Sequence, residues 1–161
     1  MQIKIILTQL VMAAVLFLGG CSERPADEPA ATPATTSVAP AAMPRSPSPA
    51  GARVFFIAPL DGSTVSSPLH VEFGIAGMQV VAAGVNAADS GHHHLLVDTG
   101  LPDPGLPIPK DEQHIHFGDG STTTELNLAP GKHTLQLLLG DHLHIPHEPP
   151  VMSAVMTIIV E

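Results

Sequence analysis

Apolar and polar positions alternate with a period of two along much of the C-terminal two-thirds of the chain. Leu69, Val71, Phe73 and Ile75 are separated by His70, Glu72 and Gly74, and His133, Leu135, Leu137 and Leu139 by Thr134, Gln136 and Leu138. This period puts alternate side chains on opposite faces of an extended strand. The β-branched and aromatic run Val54 to Ala58 closes on the turn sequence Pro59-Leu60-Asp61-Gly62, and Ala129-Pro130-Gly131 precedes the strand at His133. Shorter strands are predicted at Met78 to Ala82, His93 to Asp98, His114 to Phe117 and Thr122 to Leu128, with a last one in Met152 to Val160. No stretch of this region has a 3.6-residue apolar period free of Gly and Pro. About seven or eight short strands with frequent turns predict an all-β domain, a β-sandwich of immunoglobulin-like architecture, with a small β-barrel as the alternative.

Upstream the pattern changes twice. Met1 to Gly20 holds one early charge, Lys4, and the apolar run Ile5 to Leu18, which reads as a secretory signal peptide; the run is short of the ~20 residues a membrane span needs. Leu18-Gly19-Gly20-Cys21 resembles the bacterial lipobox, which implies a mature protein beginning at a lipidated Cys21. Ser22 follows in place of Asp, which favours the periplasmic face of the outer membrane in a Gram-negative cell. Residues 21–52, rich in Pro, Ala, Ser and Thr, bury too little to offset their ordering entropy and are expected to form a tether. The expected organisation is thus a signal at 1–20, the tether at 21–52 and one domain at 53–161.

Composition removes several function classes. The domain has no Trp or Tyr and only Phe55, Phe56, Phe73 and Phe117 as rings, so the stacking platforms of sugar and single-strand nucleic-acid binders are missing. Its charge is acidic, with only Arg53, Lys110 and Lys132 as cations, which again disfavours nucleic acid. With Cys21 committed to lipid, no cysteine remains for a disulfide, a thiolate nucleophile, an iron–sulfur cluster, c-type haem attachment or a His₂Cys copper site. Nucleophile-elbow, Walker and H-E-x-x-H motifs are absent too.

Histidine is what the chain has in excess, ten against six Lys plus Arg. Six form H-x-H pairs, His92/His94, His114/His116 and His142/His144, and on a strand each pair presents two imidazoles to one face. If Leu95 and Val97, Ile115 and Phe117, and Leu143 and Ile145 face the core, all three pairs share an outer face, with His93 turned inward as a core imidazole and His147 able to join from a loop. Such a nitrogen-rich set suits copper or zinc, with Asp98, Asp111, Glu112, Asp141 and Glu148 as oxygen ligands or as acceptors that orient the rings. His70 and His133 are expected to be structural, and Met152 and Met156 to pack in the core. Without a metal, the same histidines would form a hydrogen-bonded or pH-responsive surface.

The strings VFFIAPLDGSTV (Val54 to Val65), GHHHLLVDTG (Gly91 to Gly100), PKDEQHIHFGDG (Pro109 to Gly120) and APGKHTLQLLLGDHLHIPHEPP (Ala129 to Pro150) resemble the bacterial family called domain of unknown function 4399. The resemblance implies a recurring extracytoplasmic domain and carries no activity with it. The reading that follows from the residues is a membrane-tethered protein that takes up, buffers or delivers Cu or Zn, exchanging it with a metal-donor or metal-acceptor protein. Two alternatives stand beside it. One is a metal-free interaction module of the envelope using the Pro-rich segments Leu101 to Pro109 and Ile145 to Pro150; the other is a metal-dependent redox enzyme of superoxide-dismutase type. No catalytic residue is identified.

Overall fold

The period-two segments become strands at nearly their expected places. A computed structural model describes residues 42–161, and within them nine strands form and no helix. The signal, Cys21 and most of the tether lie outside the described residues. The strands are β1 (Arg53–Ala58), β2 (Thr64–Val65), β3 (Leu69–Ala76), β4 (Gln79–Val80), β5 (Ser90–Val97), β6 (His114–His116), β7 (Thr123–Leu126), β8 (Gly131–Gly140) and β9 (Met156–Val160). They make two packed sheets that do not close into a barrel: β1-β3-β7 in one, and β2-β9-β8-β5-β4 with β6 also on β5 in the other. The sandwich expected from the pattern is therefore the fold.

The core lies between the sheets. Leu69, Val71 and Phe73 of β3 meet Leu135, Leu137 and Leu139 of β8, Leu95 and Val97 of β5, and Met156, Ile158 and Val160 of β9. Each set is one parity of its strand, as the alternation requires. Strand β5 breaks the usual rule that the other parity meets water, because all eight of its residues are buried. Its outer face is covered by the chain segments that follow β5 and β8. Ile108 of the first packs on Leu96 and Leu138 in a second small apolar cluster, and its N–H donates to the carbonyl of His144 in the other segment, 2.8 Å away. The Pro-rich loop thus serves as a lid over a sheet face, which explains the continuous apolar and histidine run of a strand covered on both sides.

Three expectations are corrected. Residues 142–144 form a turn and not a strand, with Leu143 47% exposed and Ile145 fully buried. Met152 makes only an isolated bridge to Leu138 and is 39% exposed, whereas Met156 sits in the core as expected. Thr64–Val65 adds a short parallel strand beside β9 that its two residues were too few to announce.

Residues 43–48, in the segment read as tether, hydrogen bond to the domain. Met43 N–H donates to the Gly105 carbonyl, Ser48 N–H to that of Glu148, and Glu148 N–H to that of Ser46.

Candidate metal centre

Register decides which histidines meet. In β5, His92 and His94 share the outer face with Leu96, and β6 runs antiparallel along the edge so that His116 lies directly opposite His94. Directly opposed residues are the closest side-chain neighbours in a sheet. The ligand-capable nitrogens of His92, His94 and His116 lie within 4.8 Å of one another.

A fourth ring arrives from the turn after β8. Asp141, 2% exposed, builds that turn: its Oδ1 accepts the N–H groups of Leu143 (2.8 Å) and Ile145 (3.0 Å), and its carbonyl accepts that of His144 (2.9 Å). The turn places His144 at φ +66°, a conformation that costs a non-glycine residue. The side chain is thereby aimed back over β5. The His144 ring centroid is 4.8 Å from those of both His92 and His116 and 5.9 Å from that of His94. His144 Nε2 and His116 Nε2 are 3.1 Å apart. Two imidazole nitrogens on a tetrahedral ion, each about 2.0–2.1 Å from it, would be about 3.3 Å apart, so this pair already has coordination spacing. In the metal-free state one of the two rings donates its N–H to the other's lone pair.

The pocket is shaped by two glycines. A Cβ on Gly140 would lie 2.8 Å from Cε1 and 3.2 Å from Nδ1 of His94, and a Cβ on Gly118 would overlap the His116 ring and sit 2.9 Å from its Nε2. No side chain fits at either position without moving a ring.

Electrostatics disfavour charge on the rings of His92, His94 and His116. Burial lowers the His94 pKa to about 2, helped by the neighbouring His92, His116 and His144. Burial, with His144 and His116 next, lowers that of His92 to about 4. His116 is lowered in the same way, by burial first and then by His144 and Lys110. Neutral rings carry the lone pairs that a metal needs. Neither ring nitrogen of His92 or His94 has a hydrogen-bond partner among the described residues. Buried polar groups are ordinarily satisfied, and leaving one unpaired costs about 1–3 kcal/mol.

The remaining sequence candidates lie elsewhere. His114 shares the outer face but stands opposite Leu96, and its Nδ1 pairs with Asp111 Oδ1 at 2.8 Å. His142 lines a surface depression with Ser46, Asp89 and Asp141. His147 is buried, its ring nitrogens facing the carbonyls of Ser90 (3.2 Å) and Leu139 (3.4 Å), where it ties the loop after β8 to β5. His93 points into the core as expected, 4.7 Å from the Phe73 ring, and neither of its ring nitrogens has a protein partner; burial lowers its pKa to about 4. His70 pairs with Glu125 and His133 with Asp98, both as structural surface contacts. Four of the five candidate carboxylates are engaged, Asp98 by His133, Asp111 by His114, Glu148 by Arg45 and Asp141 by its own turn, and the fifth, Glu112, is exposed and outside the His92, His94 and His116 group. The centre is therefore nitrogen alone, one complete H-x-H pair plus one member of each of the other two. Gly118 and Gly140 went unnoticed in the sequence, where only their two-residue spacing from a histidine or from Leu138 is visible.

No curated protein and no solved structure matches the chain. The family model described as Domain of unknown function (DUF4399) matches residues 71–161, a span that includes all four clustered histidines and both glycines, and the chain belongs to that family.

Proposed function

We propose that this protein is an extracytoplasmic metal-binding lipoprotein that holds Cu(II) or Zn(II) on His92, His94, His116 and His144 for uptake, buffering or delivery. The observation that carries the reading is the convergence of the His116 and His144 rings on the buried His92 and His94, whose four ring nitrogens find no hydrogen-bond partner among the described residues. A borderline divalent ion would occupy those lone pairs; four imidazole nitrogens with no oxygen donor suit Cu(II) and Zn(II) and suit Ca(II) and Mg(II) poorly. Four protein ligands, three of them on paired strands, would fill a tetrahedral ion's positions and favour retention over turnover, since a catalytic ion needs an open position. The lipidated Cys21 and the Pro-rich segment would keep the domain at the membrane surface, where metal passes between envelope proteins.

The test contrasts the two histidines of one H-x-H pair. His116→Ala is expected to lower Cu(II) and Zn(II) affinity by orders of magnitude in a competition titration, whereas His114→Ala leaves it within a fewfold of the unaltered chain. Equal effects of the two substitutions would refute this ligand set.

A further inference from the structure

Three of the four rings stand on or beside β5, but His144 depends on a turn, and that turn is held from outside by residues far away in sequence. Ser46 Oγ donates to Asp141 Oδ2 at 2.6 Å, on the same carboxylate whose other oxygen organises the His144 turn. Arg45 adds a second hold. Its guanidinium donates to the carbonyl of Pro146 at 2.9 Å and to that of His147, and it pairs with the Glu148 carboxylate. Backbone bonds complete the strap: Glu148 N–H donates to Ser46 O (2.9 Å) and Ser48 N–H to Glu148 O (3.1 Å). Residues 45–48 thus clasp the loop 141–149 along its length, and they precede the span matched by the family model, 71–161.

We infer that Arg45 and Ser46 are positioning residues for the fourth ligand, so that the segment leading out of the Pro-rich region sets how firmly His144 closes over the metal. This rests on the metal-binding reading above. The physical argument is one of ordering. The turn keeps His144 in a left-handed conformation that its backbone does not favour, and the conformation persists because surrounding bonds hold it. Ser46 supplies the one side-chain bond from outside the turn to Asp141 Oδ2, and Arg45 fixes the carbonyls just beyond His144. Released from the strap, the turn gains freedom, His144 spends part of its time off the ion, and a competing ligand can enter at that position. The three remaining imidazoles still hold the metal, which separates the rate of exchange from the ability to bind.

The experiment uses the untagged full chain loaded with Cu(II) alone. Transfer of Cu(II) to an excess of a chelator gives the dissociation rate, and electron paramagnetic resonance gives the number of coordinating nitrogens. Ser46→Ala, and Arg45→Ala as an independent second variant, are each expected to speed dissociation by on the order of 10-fold, the usual range for partners that orient a ligand. Both should move the spectrum toward the three-nitrogen form shown by His144→Ala. Ser46→Thr, which keeps the hydroxyl, should restore the unaltered rate, and in the His144→Ala background neither strap substitution should change rate or spectrum further. An unaltered rate and spectrum in both variants, with binding that still requires His94, would overturn the strap and leave the metal reading in place. Binding that is indifferent to His94→Ala would overturn both.

Discussion

At the scale of single residues, neighbours of identical type have opposite fates. His92, His93 and His94 are consecutive and all fully buried, yet two face the candidate metal centre and the third faces Phe73 in the core. Parity alone separates them, and their energetics differ accordingly. A metal can satisfy His92 and His94, whereas His93 has no protein partner and no ligand to await. Replacing an unsatisfied buried polar group by an apolar one of similar size is nearly neutral or stabilising. His93→Leu should therefore raise the stability of the metal-free chain by about 1 kcal/mol or more, measured by denaturant unfolding at neutral pH. The sign of its pH dependence follows from a folded-state pKa of about 4 against an ordinary 6.5. Above pH 6.5 the ring is neutral in both states and full stability is present. As pH falls toward 4 only the unfolded chain takes up the proton, and stability is lost. The loss approaches about 3 kcal/mol for this ring, at roughly 1.4 kcal/mol per pKa unit. His93→Leu should make the acid limb of the unfolding profile shallower. A mutant less stable than the parent, with the same acid limb, would show that His93 is satisfied in some other way.

At the scale of elements, the centre is made where β5, β6 and the turn after β8 come together, and the strand edge could not be read from spacing. The sequence showed that His92 and His94 share a face and that His114 and His116 do too, and both statements hold in the folded chain. It did not show that β6 would pair with β5 in the register that sets His116 against His94 and His114 against Leu96. That register depends on the path of the intervening loop. The third pair failed for a different reason: Asp141 captures the N–H groups of Leu143 and Ile145 and turns the chain before a strand can form. The pair Gly140-Asp141 is a turn-forming sequence, but the alternation His-Leu-His-Ile that follows masked it. Strand β8 also constrains the site, since Gly140 leaves room for the His94 ring. Gly140→Ala should displace that ring and weaken Zn(II) affinity by about 10- to 100-fold, the scale seen when a ligand's support is disturbed. The fold should survive, with a stability cost of about 1–3 kcal/mol from overpacking. Isothermal titration with Zn(II) beside thermal unfolding distinguishes the two effects. Undiminished affinity would mean that the ring has room to shift without losing the ion.

At the scale of the whole molecule, the two-sheet architecture was legible because one buried face per strand imposes a period of two, which β3 shows most clearly at Leu69, Val71 and Phe73. Less legible was the cover on the second face of β5. Pro-rich stretches such as Leu101 to Pro109 have no periodic signal, so their role as a lid, through Ile108 on Leu96 and Leu138, emerges only when the sheet is built. The strap at residues 45–48 was hidden in the same way, since its composition matches the segment before it while its bonds are specific to the loop it meets. Together, lid and strap cover much of that sheet face around a group of imidazoles in which His92 and His94 are fully buried and His116 and His144 partly so. This arrangement accounts for the histidine excess better than a surface role, which would leave the rings solvated and singly paired as His70 is with Glu125.

The most direct measurement is mass spectrometry under non-denaturing conditions on the untagged chain and its His94→Ala variant, after exposure to Cu(II) or Zn(II) and removal of loosely held ions. The account predicts one ion per chain, retained at neutral pH, released as the solution is acidified and the ligand nitrogens take up protons, and lost in His94→Ala. A chain that keeps no stoichiometric ion, or keeps it equally well without His94, would contradict the account.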